Sequence, residues 1–304
     1  MGPLQRRGRV NAPTGGLGEA HHGPTDRKCE PLSAEYPPVC LPCEGRKHAN
    51  RQLHGAQPGT YTMDCLRIDE NVVIYQGEAL SVLQQLAPDS VDAVITDPPY
   101  STGGMTLASK QADPAKKYQN SETKKTYPAM LGDTRDQRSY SFWATLWLSE
   151  CWRVARDGSP LLVFTDWRQL PSLMDAVQAA GWLWRGVVVW QKPSARPMLG
   201  EFRREAEFLV YGSKGKPHIH TRHCFPGVFK HAVNTTAKVH ITGKPLALLQ
   251  DLMGIVAEGG TVLDPFLGGG TTAHAAMLTG RKCVGVELSP DYAKLSAERL
   301  LEVE

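Results

Sequence analysis

The sequence predicts an α/β fold, and three observations carry that reading. Apolar runs of strand length alternate with amphipathic stretches of helix length from Val72 onward. Two of those runs end in Asp-Pro, at Asp97-Pro98 and Asp264-Pro265, so each strand stops where proline can no longer donate to a ladder. Between the second of these strands and the helix after it lies a glycine turn, Gly268-Gly269-Gly270. A chain of 304 residues with 41% apolar content can bury one large core plus an appendage.

Residues 1 to 62 are rich in Pro, Gly and His, lack apolar periodicity and read as a disordered extension, with Met63 as an alternative start. Within them Cys29, Cys40, Cys43 and His48 form a loose series that could hold zinc, although no strand or helix pattern surrounds it. The seven cysteines are odd in number and irregular in spacing, unlike a disulfide framework. With neither an apolar signal region nor a membrane-length run, the chain reads as soluble and cytoplasmic, from a bacterium or a phage in its host.

The amino-to-carboxyl order of elements begins with a strand at Val72 to Gln76. Gly77-Glu78 then turns into a short helix through Leu80, Val82, Leu83 and Leu86 that Pro88 ends. The strand running to Asp97 follows, which makes a parallel, right-handed crossover. Residues 101 to 140 are polar, Lys-rich and without period, and read as a long loop beside a site. A helix is predicted from Ser141 to Ala155, a strand from Pro160 to Thr165 and a helix from Leu170 to Ala180. Strands at Trp182 to Trp190 and Glu205 to Tyr211 flank a basic loop, and a helix from Lys244 to Ala257 leads to the glycine turn. All seven Trp fall between Trp143 and Trp190 and read as core.

Net charge is only +3, but it is unevenly spread: from Arg185 to Lys244 eleven Lys or Arg face three acids, Glu201, Glu205 and Glu207. Such a local excess is the footprint of a surface that binds a polyanion.

Asp97-Pro98-Pro99-Tyr100 is a stiff tetrapeptide at a strand's carboxyl end, where open α/β sheets place ligands. It offers a carboxylate, a proline carbonyl without a ladder partner and an aromatic ring, a set suited to a planar base with an amino group. The glycine turn lets a ligand approach loop amides, and Thr271 is its N-cap candidate. Glu287 ends the next strand about twenty residues on, a place from which an acid takes both hydroxyls of a ribose. The loop lacks the Gly-Lys-Ser/Thr of a phosphate-binding loop, and Asp264 would repel polyphosphate. S-adenosylmethionine fits better: Asp264 can face its ammonium, the loop amides with Thr271 or Thr272 its carboxylate, and Glu287 its ribose.

With these marks the chain resembles the amino-group DNA methyltransferases, adenine-N6 or cytosine-N4, and within them the permuted branch in which the tetrapeptide precedes the glycine loop. The resemblance covers Val72 to Val303 and rests on Asp97 to Tyr100, Asp264 to Gly270, Glu287, Gly77-Glu78 and His240 to Pro245. Glu78 stands where the family usually has Asp, and Ile241 where it usually has Pro. The resemblance implies a Rossmann-like, seven-stranded, mostly parallel sheet with helices on both faces and an antiparallel last strand, in residues 63 to 304, with target recognition in 212 to 240. It implies S-adenosylmethionine contacts from Phe266, Gly268, Gly270, Glu78 and Lys244 besides the residues above. It further implies catalysis by Asp97, Pro98, Pro99 and Tyr100 on an adenine flipped out of double-stranded DNA, without a metal. It leaves a homodimer open. Rival readings are a protein-glutamine or ribosomal RNA methyltransferase, which would place the glycine loop first, a non-catalytic DNA-binding protein, and an N-terminal zinc module on a scaffold.

Overall fold

Strand formation follows the β-branched and aromatic runs, and in chain order gives β1 (Cys65–Arg67), β2 (Val72–Gln76), β3 (Ala93–Thr96), β4 (Pro160–Thr165), β5 (Leu183–Gln191), β6 (Ala206–Ser213), β7 (Val228–Lys230), β8 (Thr261–Asp264) and β9 (Lys282–Glu287). The helices are α1 (Ala79–Leu83), α2 (Gln137–Val154), α3 (Leu170–Ala179), α4 (Leu246–Met253), α5 (Thr271–Leu278) and α6 (Pro290–Leu301). This is a computed structural model that describes residues 65–101, 135–195, 197, 199–233 and 243–302. The Cys29 to His48 series, residues 1 to 62, most of the loop after Ser101, and His240 lie outside the described residues.

The sheet runs β1-β2-β9-β8-β3-β4-β6-β5-β7. Its seven central strands are those the sequence predicts, and the additions are three-residue strands at each edge. From β2 to β4 all neighbours are parallel, while β6 lies antiparallel to both β4 and β5. Alternation along β2 sends Val73 and Tyr75 into a core shared with α1, α2 and α3, and Val72 and Ile74 into a second core under α4, α5 and α6. Helices therefore cover both faces, which explains why β3, Ala93 to Thr96, is buried throughout.

Several predicted boundaries move for local reasons. Helix α2 starts at Gln137 and not Ser141, because the Asp136 carboxylate accepts the Arg138 and Ser139 amides as an N-cap. Helix α4 starts only after Pro245, which is extended. The N-cap of α5 is Gly270, held at φ +77, and not Thr271, which is already helical. Of the seven Trp, Trp147, Trp182 and Trp190 are buried, but Trp152, Trp167 and Trp184 are 38%, 54% and 45% exposed, so the aromatic run is not all core. The basic stretch divides too. Lys214 is buried, donates to Asp89 and to the Ala155 carbonyl, and is structural, while Arg203, Arg204 and Lys230 stand exposed at or near the end of the β5–β6 pair. No helix among the described residues is long and apolar enough to cross a membrane.

Candidate active site

Strands β3 and β8 are parallel neighbours, with Ala93 opposite Val262 and Val94 opposite Leu263. Both end in Asp-Pro, so two carboxylates emerge side by side at the carboxyl edge of the sheet. Thr96 ties the two ends together by donating its hydroxyl to Asp264 Oδ1 at 2.6 Å. Two groups of the residues singled out above meet at this edge, one at each aspartate.

The first surrounds the tetrapeptide. Tyr100 donates its hydroxyl to Asp97 Oδ1 at 2.7 Å, and Lys244 donates its ammonium to Asp97 Oδ2 at 2.6 Å. That ammonium lies 5.2 Å from the centre of the Tyr100 ring and equally far from that of Phe164. Lys244, which the resemblance implies as a cofactor contact, here bonds the tetrapeptide. Two groups that the sequence did not single out as site residues complete the cluster. Glu207 of β6 lies 3.5 Å from the Lys244 ammonium and accepts from Lys192 at 2.7 Å. The signal was there for Glu207, a lone acid in the apolar run Ala206 to Val210. Lys192 offered none beyond its place after β5.

Burial pushes the Asp97 carboxyl up and Glu207 pushes it further, against the pull of Lys244 and the Tyr100 hydrogen bond. For Glu207 burial also acts upward, but Lys244 and Lys192 outweigh it and leave the carboxyl below its ordinary value. Burial alone would lower Lys244, yet Asp97 and Glu207 together raise it, so the lysine is charged. Burial beside the two acids raises the Tyr100 phenol well above its usual range, so it stays a donor. Directly after the tetrapeptide, buried Ser101 has φ +55, a conformation that non-glycine residues adopt uncommonly.

The second group lines the glycine loop. Asp264 is buried and accepts from Thr96 and from the Phe266 amide at 3.0 Å. Its hydrogen bonds, Thr272 included, come from neutral donors, and burial pushes its carboxyl up to about 6. Glu287 accepts the Gly268 amide on one oxygen and the Ser289 amide on the other, both at 2.8 Å. Each oxygen keeps a further lone pair for a ligand hydroxyl. The Phe266 ring packs on Trp143 and Trp147, with centroids 5.4 and 5.1 Å apart, and the indole N–H of buried Trp147 has no hydrogen-bond partner among the described residues.

Several of the residues expected at the cofactor make hydrogen bonds within the protein. Gly268 and Gly270 spend their amides on Glu287 and on the Leu267 carbonyl. A Cβ on Gly270 would lie 2.8 Å from that of Ser296, so helix α6 demands glycine there. The Thr271 hydroxyl accepts from Arg299, which also holds the Gly269 carbonyl. Glu78 is exposed and caps α1 by accepting the Ser81 amide at 2.8 Å, beside the end of β9 where Gly77 donates to the Glu287 carbonyl.

An acid and an aromatic ring beside a second buried acid, at the carboxyl edge of a mostly parallel sheet, can hold an amino group and present it to a neighbouring cationic ligand. Known proteins share this fold and parts of this sequence. The type II methyltransferase M.SmaI of Serratia marcescens is 28% identical over 291 residues, spanning 79% of this chain and 94% of that protein. The crystal structure of the M1.HpyAVI–SAM complex shares the fold at a TM-score of 0.55 and 21% identity, over 75% of this chain and 98% of that one. The cytosine-N4-specific PvuII DNA methyltransferase shares it at a TM-score of 0.58 and 16% identity, over 77% and 87%. The family model of the N6/N4 DNA methylases matches residues 91–298, more than half of the chain and both aspartate ends, and the chain belongs to that DNA methylase family.

Proposed function

We propose that the protein transfers a methyl group from S-adenosylmethionine to the N6 amino group of adenine in double-stranded DNA, with the base turned out of the helix. The observation that carries this is the Asp97 carboxylate beside the Tyr100 ring at the end of β3. A flipped adenine would stack on that ring and give one N–H to Asp97 and the other to the Pro98 carbonyl. The exocyclic nitrogen is a poor nucleophile because its lone pair is delocalised. Two acceptors favour a tetrahedral nitrogen and stabilise the positive charge that develops on it. Asp97 supplies the larger part, being charged.

The residues at β8 and β9 fit S-adenosylmethionine. Asp264 is a buried acid whose hydrogen-bond donors are all neutral, which suits an ammonium. Glu287 keeps lone pairs for two ribose hydroxyls, and the unpartnered Trp147 indole beside Phe266 can donate to a nucleoside. When bound, the cofactor supplies an electrophilic methyl group on a sulfonium. Exposed Arg203, Arg204 and Lys230 lie toward the same edge and suit DNA phosphates.

The choice of adenine rests on Asp97, since cytosine-N4 enzymes of the family more often carry Ser in that place. A carboxylate accepts strongly and cannot donate while ionised, whereas a hydroxyl does both. Incubation with unmethylated DNA and S-adenosylmethionine, digestion to nucleosides and mass spectrometry test the reading. N6-methyladenine is expected. N4-methylcytosine alone would overturn the choice of base, and the absence of both would overturn the activity.

A further inference from the structure

The tetrapeptide would have to accept an amino group that becomes cationic, yet a cationic nitrogen of the protein already stands there. The Lys244 ammonium is 2.6 Å from Asp97 Oδ2 and over the Tyr100 ring, with only 8% of its side chain exposed. Asp97 Oδ1 meanwhile holds the Tyr100 hydroxyl, so both oxygens are engaged. A base that stacks on the Tyr100 face under that ammonium and brings its amino nitrogen to Asp97 Oδ2 must displace this lysine. Its nearest other acid is Glu207, 3.5 Å away, which Lys192 holds in place at 2.7 Å. The four charges, two acids and two lysines, sum to zero, so moving the ammonium from one acid to the other leaves no net charge stranded in a buried site.

We propose that Lys244 occupies, in the resting protein, the position of the target amino nitrogen, and that Glu207 receives its ammonium when the base arrives. Glu207 is then a positioning residue, acting through Lys244 and not on the substrate. The idea rests on the amino-methyltransferase reading above, but its geometry does not depend on which base is modified. Until the base arrives, the lysine counters the Asp97 charge and opposes the upward push of burial on its carboxyl. Afterwards Glu207 keeps the lysine from repelling the charge that develops on the base.

Groups facing Asp97 are Lys244 ahead of α4, Tyr100 on its own loop and Glu207 of β6, with Lys192 behind Glu207, Asp264 across on β8, and Tyr140 of α2 acting on Tyr100. Removing the lysine charge raises the Asp97 titration, and removing the Glu207 charge lowers it. The test is Lys244→Met, Glu207→Gln and the double variant, read in two ways. Carbon NMR of labelled aspartate carboxyls, without DNA or cofactor, should show Asp97 moving up in the first and down in the second, each by roughly one pH unit. Single-turnover methylation of unmethylated DNA at pH 9 should be about ten-fold slower in Glu207→Gln. It should recover at least about five-fold when Lys244→Met is added, because no lysine is left to hand over. Shifts in the same direction, or a double variant no faster than Glu207→Gln, would overturn the proposal. Because the titration needs no turnover, it judges the charge cluster even if the wild-type protein transfers no methyl group, an outcome that would count against the activity instead.

Discussion

Two neighbouring strands, β3 and β8, end in the same dipeptide, yet their aspartates live in opposite electrostatic surroundings. Asp97 is met by Lys244, with Glu207 and Lys192 behind it, so the charge is neutralised from within the protein. Asp264 has three neutral donors and is pushed up to about 6. A buried acid with only neutral donors leaves room for a cationic ligand to counter it, and a charge already countered is one for which a ligand must compete. Under the proposed function the pair would divide the labour, β8 countering the cofactor's cation and β3 the charge that develops on the target base.

Removing each acid should break this comparison in different ways, and the larger effect belongs to β3. Asp97→Ala is expected to slow methyl transfer by about two to three orders of magnitude while leaving S-adenosylmethionine affinity within a few-fold, since its charge acts on the target amino group. Rates from single-turnover assays and affinities from calorimetry check both halves. Near-normal turnover would reject Asp97 as the acceptor.

At β8 the effect is smaller and falls on binding. The Asp264 carboxyl titrates near 6 when folded and near 4 when unfolded, so the folded protein holds that proton more tightly. Stability from this group is therefore greatest below pH 4, declines as pH rises toward 6 and is flat above, at a cost of about 3 kcal/mol in the absence of a cation. Asp264→Asn keeps an acceptor for Thr96 and the Phe266 amide and removes that cost. It should raise the thermal midpoint of the ligand-free protein at neutral pH and weaken S-adenosylmethionine binding by about ten- to a hundred-fold. Wild-type affinity should fall as pH drops through 6, and the variant should show no such fall. Calorimetry at several pH values decides, and identical pH dependence in the two proteins would remove Asp264 from the cofactor's cation.

The two ends were unequally legible in the sequence. Asp97, Tyr100, Asp264 and Glu287 stand out in the sequence because proline and glycine punctuate the chain locally, and the fold gathers them at the carboxyl edge of the sheet. The seven central strands were readable for the same reason, each being a short apolar run between turns. Glu207 and Lys192 were not read as site residues, because an antiparallel pairing brings them in: Trp190 lies opposite Glu207 and Gln191 opposite Ala206, a register that no local pattern states. The resemblance places Lys244 at the cofactor, and no local pattern foretells its bond to a carboxylate 147 residues away. Trp152, Trp167 and Trp184 were misjudged because residue type fixes the preference for burial and not the face on which a residue emerges.

The smallest predicted effect separates packing from binding in the glycine loop itself. The sequence suggests that a side chain at Gly268 or Gly270 would fill ligand space. At Gly270 the structure points elsewhere: φ is +77, and a new Cβ would lie 2.8 Å from the Ser296 Cβ of α6, on a helix whose Ser296 is itself fully buried. Gly270→Ala should therefore destabilise the protein by about 1–3 kcal/mol, from the left-handed backbone and the overlap together. For a domain of this size that is a fall of several degrees in the thermal midpoint. The affinity of the folded fraction for S-adenosylmethionine should stay within a few-fold, because the added methyl points into α6 and away from Asp264 and Glu287. Calorimetric unfolding and binding on the same sample separate the two effects. An unchanged midpoint with lost binding would return Gly270 to the ligand and mean that α6 yields where the packing says it cannot.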